Sequence, residues 1–223
     1  HIMGLISDGG IHSHINHLMA LIDMCKENNV KEVYLHLFTD GRDTGVKTGK
    51  EFVKRVEDKL NEVNLGKITT ISGRYYAMDR DNNYDRLKQA YNNPEEMFNH
   101  SYSNDITDEF IKPSIFDKHT LESNDGVLVF NYRPDRLREM CTAITNREVV
   151  PMETKNLENV KLVSMMPITD TVKGDNAFNH LVLNNTMGPY LASLGLSQLR
   201  IAETEKYAHV TYFYDGGKDL ELA

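Results

Sequence analysis

Short runs of apolar residues alternate along the chain with longer segments in which apolar residues recur every three or four positions. The short runs are rich in β-branched and aromatic residues, as buried strands are. They predict strands at residues 2–7, 32–39, 67–72, 126–132, 160–166, 198–202 and 210–213. Because helix-like segments separate most of these strands, the pattern predicts a three-layer α/β/α fold around a mainly parallel sheet.

The longer segments predict helices, since their apolar residues fall on one face at helical spacing. The four clearest segments begin near Ile15, Phe52, Leu87 and Leu137. Ser13 is placed to cap the first of them. Residues 92–125 break this regularity, because they are polar and contain Pro94 and Pro113. We interpret them as a surface excursion that could hold a short hairpin.

A polar, turn-prone stretch at residues 169–179 predicts a domain boundary. We therefore expect one domain over residues 1–180. After it, residues 185–207 contain patterns for only one helix and one strand, which is too little to bury a core alone. The chain also begins inside a strand-like run, without Met at position 1, so we expect it to be a fragment.

The composition is that of an ordinary globular protein, with 40% hydrophobic and 26% charged residues. A formal charge of −8 argues against a broad nucleic-acid surface, although it allows a local basic pocket. Cys25 and Cys141 lie in predicted helices without CxxC spacing, which favours reduced cysteines in a cytoplasmic protein. No apolar stretch approaches the roughly 20 residues that cross a bilayer, and no signal-peptide pattern opens the chain.

The turns after the predicted strands contain more chemically active residues than a turn requires. They hold SDGGIHSH at residues 7–14, DGRD at 40–43, GRYYAMDR at 73–80, NYRPDR at 131–136 and ETEKY at 203–207. In an open parallel sheet, the carboxyl ends of the strands meet at one edge, and ligands bind in the crevice beyond it. The sequence therefore predicts a ligand site assembled from these turns.

Half of the chain's arginines fall in these turns, namely Arg42, Arg74, Arg80, Arg133 and Arg136. Guanidinium groups gathered at one edge repel one another unless an anion neutralises them. Arginine also presents a planar set of donors that matches phosphate or carboxylate. The turns thus predict a small ligand with more than one negative group. The alternative interpretation is a set of surface Arg–Asp ion pairs, each worth roughly 0–1 kcal/mol.

Histidines and acids in the same turns are further candidates. His12, His14 and His17 have an H-x-H-x-x-H spacing that could hold a metal, but nothing nearby completes such a site. His12 precedes the helix and is the better candidate for contacting a ligand, whereas the other two are placed to cap or cover the helix start. Asp43 beside Arg42 is predicted to stay ionised and to act as a general base toward a substrate hydroxyl.

These motifs, with SGRYYAMDRD and RIAETEKYAHVTYF, resemble the 2,3-bisphosphoglycerate-independent phosphoglycerate mutase family in order and approximate spacing, from Met3 to Gly217. That family interconverts 3-phosphoglycerate and 2-phosphoglycerate in glycolysis. The resemblance implies an enzyme of two domains. One is similar to alkaline phosphatase, with two manganese ions and a serine nucleophile that becomes phosphoserine. The other, the transferase domain, is inserted into the first and holds the glycerate.

Matched motif by motif, the resemblance implies a substrate-binding set at the positions collected above from the strand ends. Its members are His12, Arg42, Asp43, Arg74, Arg80, Arg133, Arg136 and Lys206. Asp43 resembles the family's catalytic residue that moves the glycerate proton. The expected ligand is therefore a small phosphoglycerate, with no nucleic-acid or membrane partner, and the resemblance suggests a monomer.

Two family motifs do not occur in this chain, namely the GNSEVGH-like serine motif and the DHGN-like Asp–His pair of the metal site. The resemblance thus implies the transferase domain, followed in residues 181–223 by a linker and the first helix and strand of the returning phosphatase-like domain. We expect neither a manganese site nor mutase turnover in such a fragment. Two alternatives stay open: a non-catalytic anion-binding module for phosphorylated metabolites, and a different phosphomutase on the same scaffold.

Overall fold

The computed structural model describes residues 1–78, 89–90, 93–151, 155–179 and 183–218. The chain divides into two compact units, His1–Asn179 and His180–Ala223. The first unit contains the sheet and its flanking helices, and the second contains short helices and turns. Among the described residues, no helix combines the length and the apolar character needed to cross a membrane.

The first unit is built on one sheet, in which eight strands pair side by side among the described residues. The strands are β1 (Ile2–Ile6), β2 (Tyr34–Thr39), β3 (Lys67–Gly73), β4 (Gln89–Ala90), β5 (Ser114–Ile115), β6 (Gly126–Val129), β7 (Lys161–Ser164) and β8 (Asp175–Asn176). Their order across the sheet is β4-β5-β3-β2-β1-β6-β7-β8. Neighbouring strands are parallel except β3 and β5, so the predicted mainly parallel sheet is confirmed.

The helices connect these strands and continue into the second unit. The α-helices are α1 (Ile15–Glu27), α2 (Gly49–Val63), α3 (Arg74–Ala77), α4 (Pro94–Ser103), α5 (Arg138–Thr145), α6 (Met187–Ser193) and α7 (Tyr207–Val210). Short 3-10 helices lie at Asp108–Phe110, Arg147–Val149 and Thr204–Lys206. The helices predicted near Ile15, Phe52 and Leu137 thus correspond to α1, α2 and α5.

Two clusters of buried apolar residues lie on opposite sides of β1. Ile2 and Ile6 belong to the cluster that also contains the buried faces of α1, α2 and α4. Met3 and Leu5 belong to the cluster that contains Leu137 and Cys141 at α5. Since alternate residues of a strand point to opposite faces, β1 is buried on both sides of the sheet. This arrangement is the predicted three-layer α/β/α architecture.

The start of α1 differs in detail from the prediction. His14 is the N-cap residue, and its Nδ1 accepts a hydrogen bond from the backbone N–H of Asn16. Ser13, the predicted cap, is buried instead, and its hydroxyl donates to the carbonyl of Leu5 at the end of β1. A buried hydroxyl needs a partner, and the adjacent strand end supplies one. The prediction of Ser13 as the cap is therefore wrong by one residue.

The two strands predicted in the second unit are also wrong. Residues 198–202 contain no strand, and Leu199 and Ile201 are 86% and 81% exposed. Residues 210–213 lie at the end of α7 and in the turn that follows. A strand is stable only when its backbone groups pair with a neighbour, and residues 183–218 provide no strand for these segments to join. Their β-favouring composition is therefore insufficient.

The segment before β6 is more regular than predicted. Ala90, taken as part of a helix with Leu87 and Tyr91, belongs to β4, while those two residues lie outside the described part of the chain. Residues 93–125 contain α4 and β5 rather than a hairpin, because β5 pairs with β3 and β4. The segment thus extends the sheet beyond β3, next to the strand ends at which the candidate site forms.

Candidate functional site

The carboxyl ends of β1, β2 and β3 lie side by side. The parallel register pairs Ile6 with Thr39 and Thr39 with Gly73. The turns that follow these strands therefore begin at one edge of the sheet, as the sequence predicts. On the other side of β1, the backbone N–H of Leu5 donates to the side chain of Asn131 over 2.9 Å, which attaches the loop after β6 to the same edge.

Arg74 lies where these turns meet, at the start of α3, and is only 5% exposed. Its Nη1 donates to Oδ1 of Asp40 over 2.7 Å and to Oδ2 of Asp43 over 2.6 Å. Its Nη2 lies 3.0 Å from Nε2 of His12. The structure thus brings together three residues predicted from separate turns, His12, Asp43 and Arg74. Arg74 is surrounded by protein partners, so it acts here as the centre of a buried polar network.

The protonation of His12 follows from this contact. A guanidinium group can only donate, so Nε2 of His12 accepts and the imidazole proton resides on Nδ1. Burial, followed by the positive charges of Arg74 and Arg133, lowers the pKa of His12 to about 4. Nδ1 is buried without a hydrogen-bond partner and lies 4.0 Å from Oδ1 of Asp135. Neutral His12 therefore has one donor still available, directed toward the loop after β6.

The loop after β6 positions a second guanidinium beside this network. The backbone N–H groups of Tyr132 and Arg133 donate to the carbonyl of His12 over 2.9 and 3.1 Å. Arg133 then holds Asp135 through two hydrogen bonds, from Nε over 2.8 Å and from Nη2 over 3.1 Å. Burial raises the pKa of Asp135, but the hydrogen bonds and charge of Arg133 outweigh burial and leave the pKa below its ordinary value. This loop thus presents an ion pair next to His12.

Close backbone contact fixes the turn that contains Asp43. A Cβ atom added at Gly9 would lie 2.6 Å from the backbone oxygen of Asp43. At Gly41, where φ is +65°, an added Cβ would lie 2.7 Å from the backbone nitrogen of Glu109. Glycine is therefore required at both positions, by space at Gly9 and by space and backbone conformation at Gly41. The glycines of the SDGGIHSH and DGRD motifs thus serve to pack backbone against backbone.

Of the remaining predicted site residues, Arg42 and Arg136 also lie in the first unit. The Arg42 side chain is 60% exposed, and its Nη1 lies 3.5 Å from Oε1 of Glu109. Arg136 contributes positive charge at Asp135, where it helps to lower the pKa. Arg80 lies outside the described residues. Lys206 is exposed, at the end of the 3-10 helix Thr204–Lys206 in the second unit.

Asp40 and Asp135 are not among the predicted site residues, although the ion-pair interpretation includes an Arg–Asp pair within RPDR. They are the carboxylates that hold Arg74 and Arg133. A local signal exists for each. Asp40 ends a strand and is followed by glycine, a setting in which an aspartate accepts from backbone N–H groups two and three residues ahead. Asp135 follows a proline two residues after Arg133, and the turn folds the acid back onto the arginine. Neither signal identifies the partner as one of the predicted site arginines.

Metal binding is not supported by the described residues, because no three His, Cys, Asp or Glu side chains among them are grouped closely enough to hold an ion. His14 and His17 contact each other through their rings, with centroids 6.0 Å apart, and His17 also contacts Tyr132. The two histidines thus cover the start of α1. The two manganese ions that the resemblance implies accordingly find no ligand set within the described part of this chain.

Comparison with known proteins identifies relatives over the whole chain. The family model for the BPG-independent PGAM N-terminus matches residues 1–170. The 2,3-bisphosphoglycerate-independent phosphoglycerate mutase of Listeria welshimeri is 42% identical over 240 aligned residues, covering 100% of this chain and 47% of the relative. The protein of the same name from Clostridium novyi is 44% identical, covering 97% of this chain and 46% of the relative.

A solved structure agrees with these matches. The crystal structure of Leishmania mexicana phosphoglycerate mutase, determined at low cobalt concentration, superposes with a TM-score of 0.86 at 26% sequence identity. The match covers 100% of this chain and 46% of the Leishmania chain. The chain thus spans about half the length of the curated relatives and of the solved structure that it matches.

Proposed function

The chain belongs to the family of 2,3-bisphosphoglycerate-independent phosphoglycerate mutases, and from that premise we propose that it supplies the glycerate-binding part of such an enzyme. The reaction is the interconversion of 3-phosphoglycerate and 2-phosphoglycerate through a phosphoserine. Residues 1–180 form the transferase domain, and residues 181–223 form a linker and the start of the returning phosphatase-like domain. The serine nucleophile belongs to the remainder of the enzyme, in line with the half-length coverage of the relatives.

The observation that supports this proposal most is the position of Asp43. Its carboxylate is 20% exposed, lies 2.6 Å from the Arg74 guanidinium and lies 3.9 Å from Nε2 of His12. A carboxylate that is held in place, yet still reached by solvent, can exchange a proton with a ligand hydroxyl. Asp43 gives a proton to the glycerate oxygen that loses the phosphoryl group. It takes a proton from the hydroxyl that accepts the phosphoryl group from phosphoserine.

The arginines with accessible donors anchor the two negative groups of the ligand. Arg42 is the most open of those described, and the Arg133 side chain is 34% exposed while paired with Asp135. Arg80, Arg136 and Lys206 complete the binding set implied by the family. Retention of glycerate between the two phosphoryl transfers is the task of these groups, because glycerate lost at that stage would turn a mutase into a phosphatase. Closure around the ligand would exclude water while the phosphoenzyme exists.

Manganese, when bound in the intact enzyme, would stabilise charge on the transferred phosphoryl group and activate the serine. The described residues offer no ligand set for it. Every role assigned here to His12, Asp43 and the arginines is therefore one of binding, orientation or proton transfer. The reduced cysteines and the family match support a cytoplasmic enzyme that acts as a monomer on a small-molecule substrate.

Calorimetric titration of this chain with 3-phosphoglycerate tests the proposal, with inorganic phosphate as the ligand control. We expect weak binding of 3-phosphoglycerate and weaker binding of phosphate, because phosphate lacks the second anionic group. Arg133→Ala should reduce the affinity by about tenfold or more, the value of a lost charge-assisted hydrogen bond. Arg147→Ala, at an exposed arginine of a separate 3-10 helix, is the matched control and should bind normally.

A second measurement tests whether the serine nucleophile lies in the rest of the enzyme and not in this chain. The purified chain should show no isomerisation of 3-phosphoglycerate, with or without manganese. Turnover by the chain alone would contradict the assignment of the nucleophile to other residues. Equal affinity for 3-phosphoglycerate and phosphate would contradict the glycerate-binding role.

A further inference from the structure

Asp40 lies directly after β2, is 1% exposed and uses both of its carboxylate oxygens. Oδ2 accepts from the hydroxyl of Ser7 over 2.6 Å. Oδ1 accepts from Nη1 of Arg74 over 2.7 Å and from the backbone N–H groups of Arg42 and Asp43 over 3.2 and 3.0 Å. One buried carboxylate thus joins the turns that follow β1, β2 and β3.

The same guanidinium nitrogen serves two carboxylates. Nη1 of Arg74 lies 2.7 Å from Asp40 and 2.6 Å from Asp43, so the positive charge of Arg74 is shared between them. His12 is neutral and adds no second positive charge. If Asp40 lost its charge, Arg74 would pair with Asp43 alone, and the repulsion between the two carboxylates would disappear. Both changes would favour the ionised form of Asp43.

We propose that Asp40 is a positioning residue that keeps Asp43 able to accept a proton, by taking part of the charge of Arg74 and by folding the DGRD turn so that Asp43 faces Arg74 and His12. The inference rests on the proposed role of Asp43 as proton carrier. A carboxylate paired with an undivided guanidinium charge holds a proton poorly and is a weak general base. Asp40 therefore acts through Asp43 and has no contact with the ligand.

The charges around Asp43 come from every neighbouring turn, and each of them has to stay constant in a test of Asp40. They are Arg74, the adjacent Arg42, the Arg133–Asp135 pair beyond the neutral His12, and Asp108, whose pKa the charge of Asp40 helps to raise. Asp40→Asn substitutes none of these residues and preserves the shape of the side chain. Its amide oxygen can still accept from the backbone N–H groups of the turn, so the variant removes charge and leaves the fold of the turn intact.

The experiment follows the carboxyl carbon of Asp43 by 13C NMR during a pH titration of this chain without ligand. In Asp40→Asn, the midpoint of the Asp43 titration should move to lower pH by about one unit. Ser7→Ala removes the 2.6 Å hydrogen bond to Asp40 but keeps the charge, so its midpoint should stay near that of the unaltered chain. An unchanged midpoint in Asp40→Asn, or an equal shift in Ser7→Ala, would overturn the inference.

Asp40→Ser is a second variant, so the inference can be tested even if Asp40→Asn fails to fold. Serine removes the same carboxylate charge with a smaller side chain, and the midpoint of the Asp43 titration should again move to lower pH. An unchanged midpoint in this variant would overturn the inference. Neither readout uses a ligand. If the proposed function were wrong, the unaltered chain would not bind 3-phosphoglycerate, and that result comes from a separate binding measurement.

Discussion

Nε2 of His12 lies 3.0 Å from Nη2 of Arg74, and the imidazole between the turns after β1 and β3 is only 3% exposed. The contact requires a deprotonated nitrogen on His12, because the guanidinium can only donate. Protonation of His12 would place two positive groups face to face in a buried position. The site therefore includes an acid-sensitive contact, and its effect on stability can be measured.

The free energy of unfolding should fall as the pH is lowered from about 6.5 to about 4. The unfolded chain binds a proton at His12 near its ordinary pKa of 6.5, whereas the folded chain binds it only near the lowered pKa of about 4. Stability from neutral His12 is thus present above pH 6.5 and lost on acidification. The contribution is about 3 kcal/mol across the window.

His12→Gln should remove the part of this pH dependence that comes from His12, because the glutamine oxygen can accept from Arg74 without binding a proton. The part from His36, whose pKa burial also lowers to about 4, should remain in both proteins. Urea unfolding of both proteins at pH 7.5, 6.5, 5.5 and 4.5 provides the measurement. Above pH 7 the stability difference between the two should be constant, which serves as the internal control. A difference that stays constant down to pH 4.5 would show that His12 does not titrate as described.

Gly9→Ala should weaken binding of 3-phosphoglycerate by about tenfold, the effect of a displaced contact in the site. The added methyl would lie 2.6 Å from the backbone oxygen of Asp43, and that backbone has to move to accommodate it. Gly126→Ala is the matched control, since a Cβ at Gly126 meets no atom within 4 Å. Calorimetry on both variants decides the matter, and equal affinities would mean that the turn tolerates the shift.

Sequence patterns predicted the segments whose local pattern of apolar residues matches their position in the folded chain. β1, β2 and β3 are apolar runs buried in the sheet, and parallel geometry then places their following turns at one edge. The pattern therefore predicts that His12, Asp43 and Arg74 lie at one place. The pattern does not predict that Asp40 and Asp43 both accept from Nη1 of Arg74. That pairing depends on contacts between turns that are distant in sequence.

The errors have two different physical origins. α4 was missed although its start has clear local signals: Asn93 caps the backbone N–H of Glu96, and Pro94 occupies the first turn. Polar residues and prolines in this segment instead predict a surface excursion when they are interpreted as breaks in regular structure. The strand predicted at residues 198–202 was wrong for the opposite reason. Its side chains favour a strand, but the described residues of the second unit contain no neighbouring strand with which it could pair. Such local patterns do not identify the family of the chain, which the family model does identify.

Asp108→Ala should destabilise the first unit by about 3 kcal/mol, because a buried carboxylate with several partners is removed. Its Oδ2 accepts from the backbone N–H groups of Thr48 and Gly49 at the start of α2, over 2.8 and 2.7 Å, where Thr48 makes no side-chain cap of its own. Oδ1 accepts from the hydroxyl of Tyr102 over 2.5 Å. Asp108 thus ties α2 to α4.

Tyr102→Phe is the matched comparison, since it removes only the hydroxyl. The hydroxyl donates to Asp108 and accepts a long 3.4 Å hydrogen bond from the backbone N–H of Lys50. The bonds from Thr48 and Gly49 to Asp108 stay in place. The substitution should cost about 1 kcal/mol. Urea unfolding of the two variants at pH 7 measures the difference. If Asp108→Ala and Tyr102→Phe were equally destabilising, the carboxylate would matter only through Tyr102, and its role as the cap of α2 would be wrong.

Arg200→Lys should loosen the second unit while leaving the first unchanged. Arg200 donates through Nη1 and Nη2 to Asp215, which is 2% exposed, and its Cζ lies 4.8 Å from the centre of the Tyr214 ring. Nε and Nη2 also donate to Gln198 over 3.1 and 3.0 Å. Lysine retains the charge but cannot reproduce this planar set of donors or stack on the ring, so Asp215 would keep a weaker partner in a buried position.

Hydrogen–deuterium exchange measures this effect region by region. Amides of residues 183–218 should exchange at least about tenfold faster in Arg200→Lys, while those of β1, β2 and β3 keep their rates. Arg147→Lys, at an exposed arginine, is the control and should change neither region. Faster exchange in β1 to β3 would show that the two compact units unfold together. Unchanged exchange in residues 183–218 would show that the Arg200–Asp215 pair contributes nothing to the second unit.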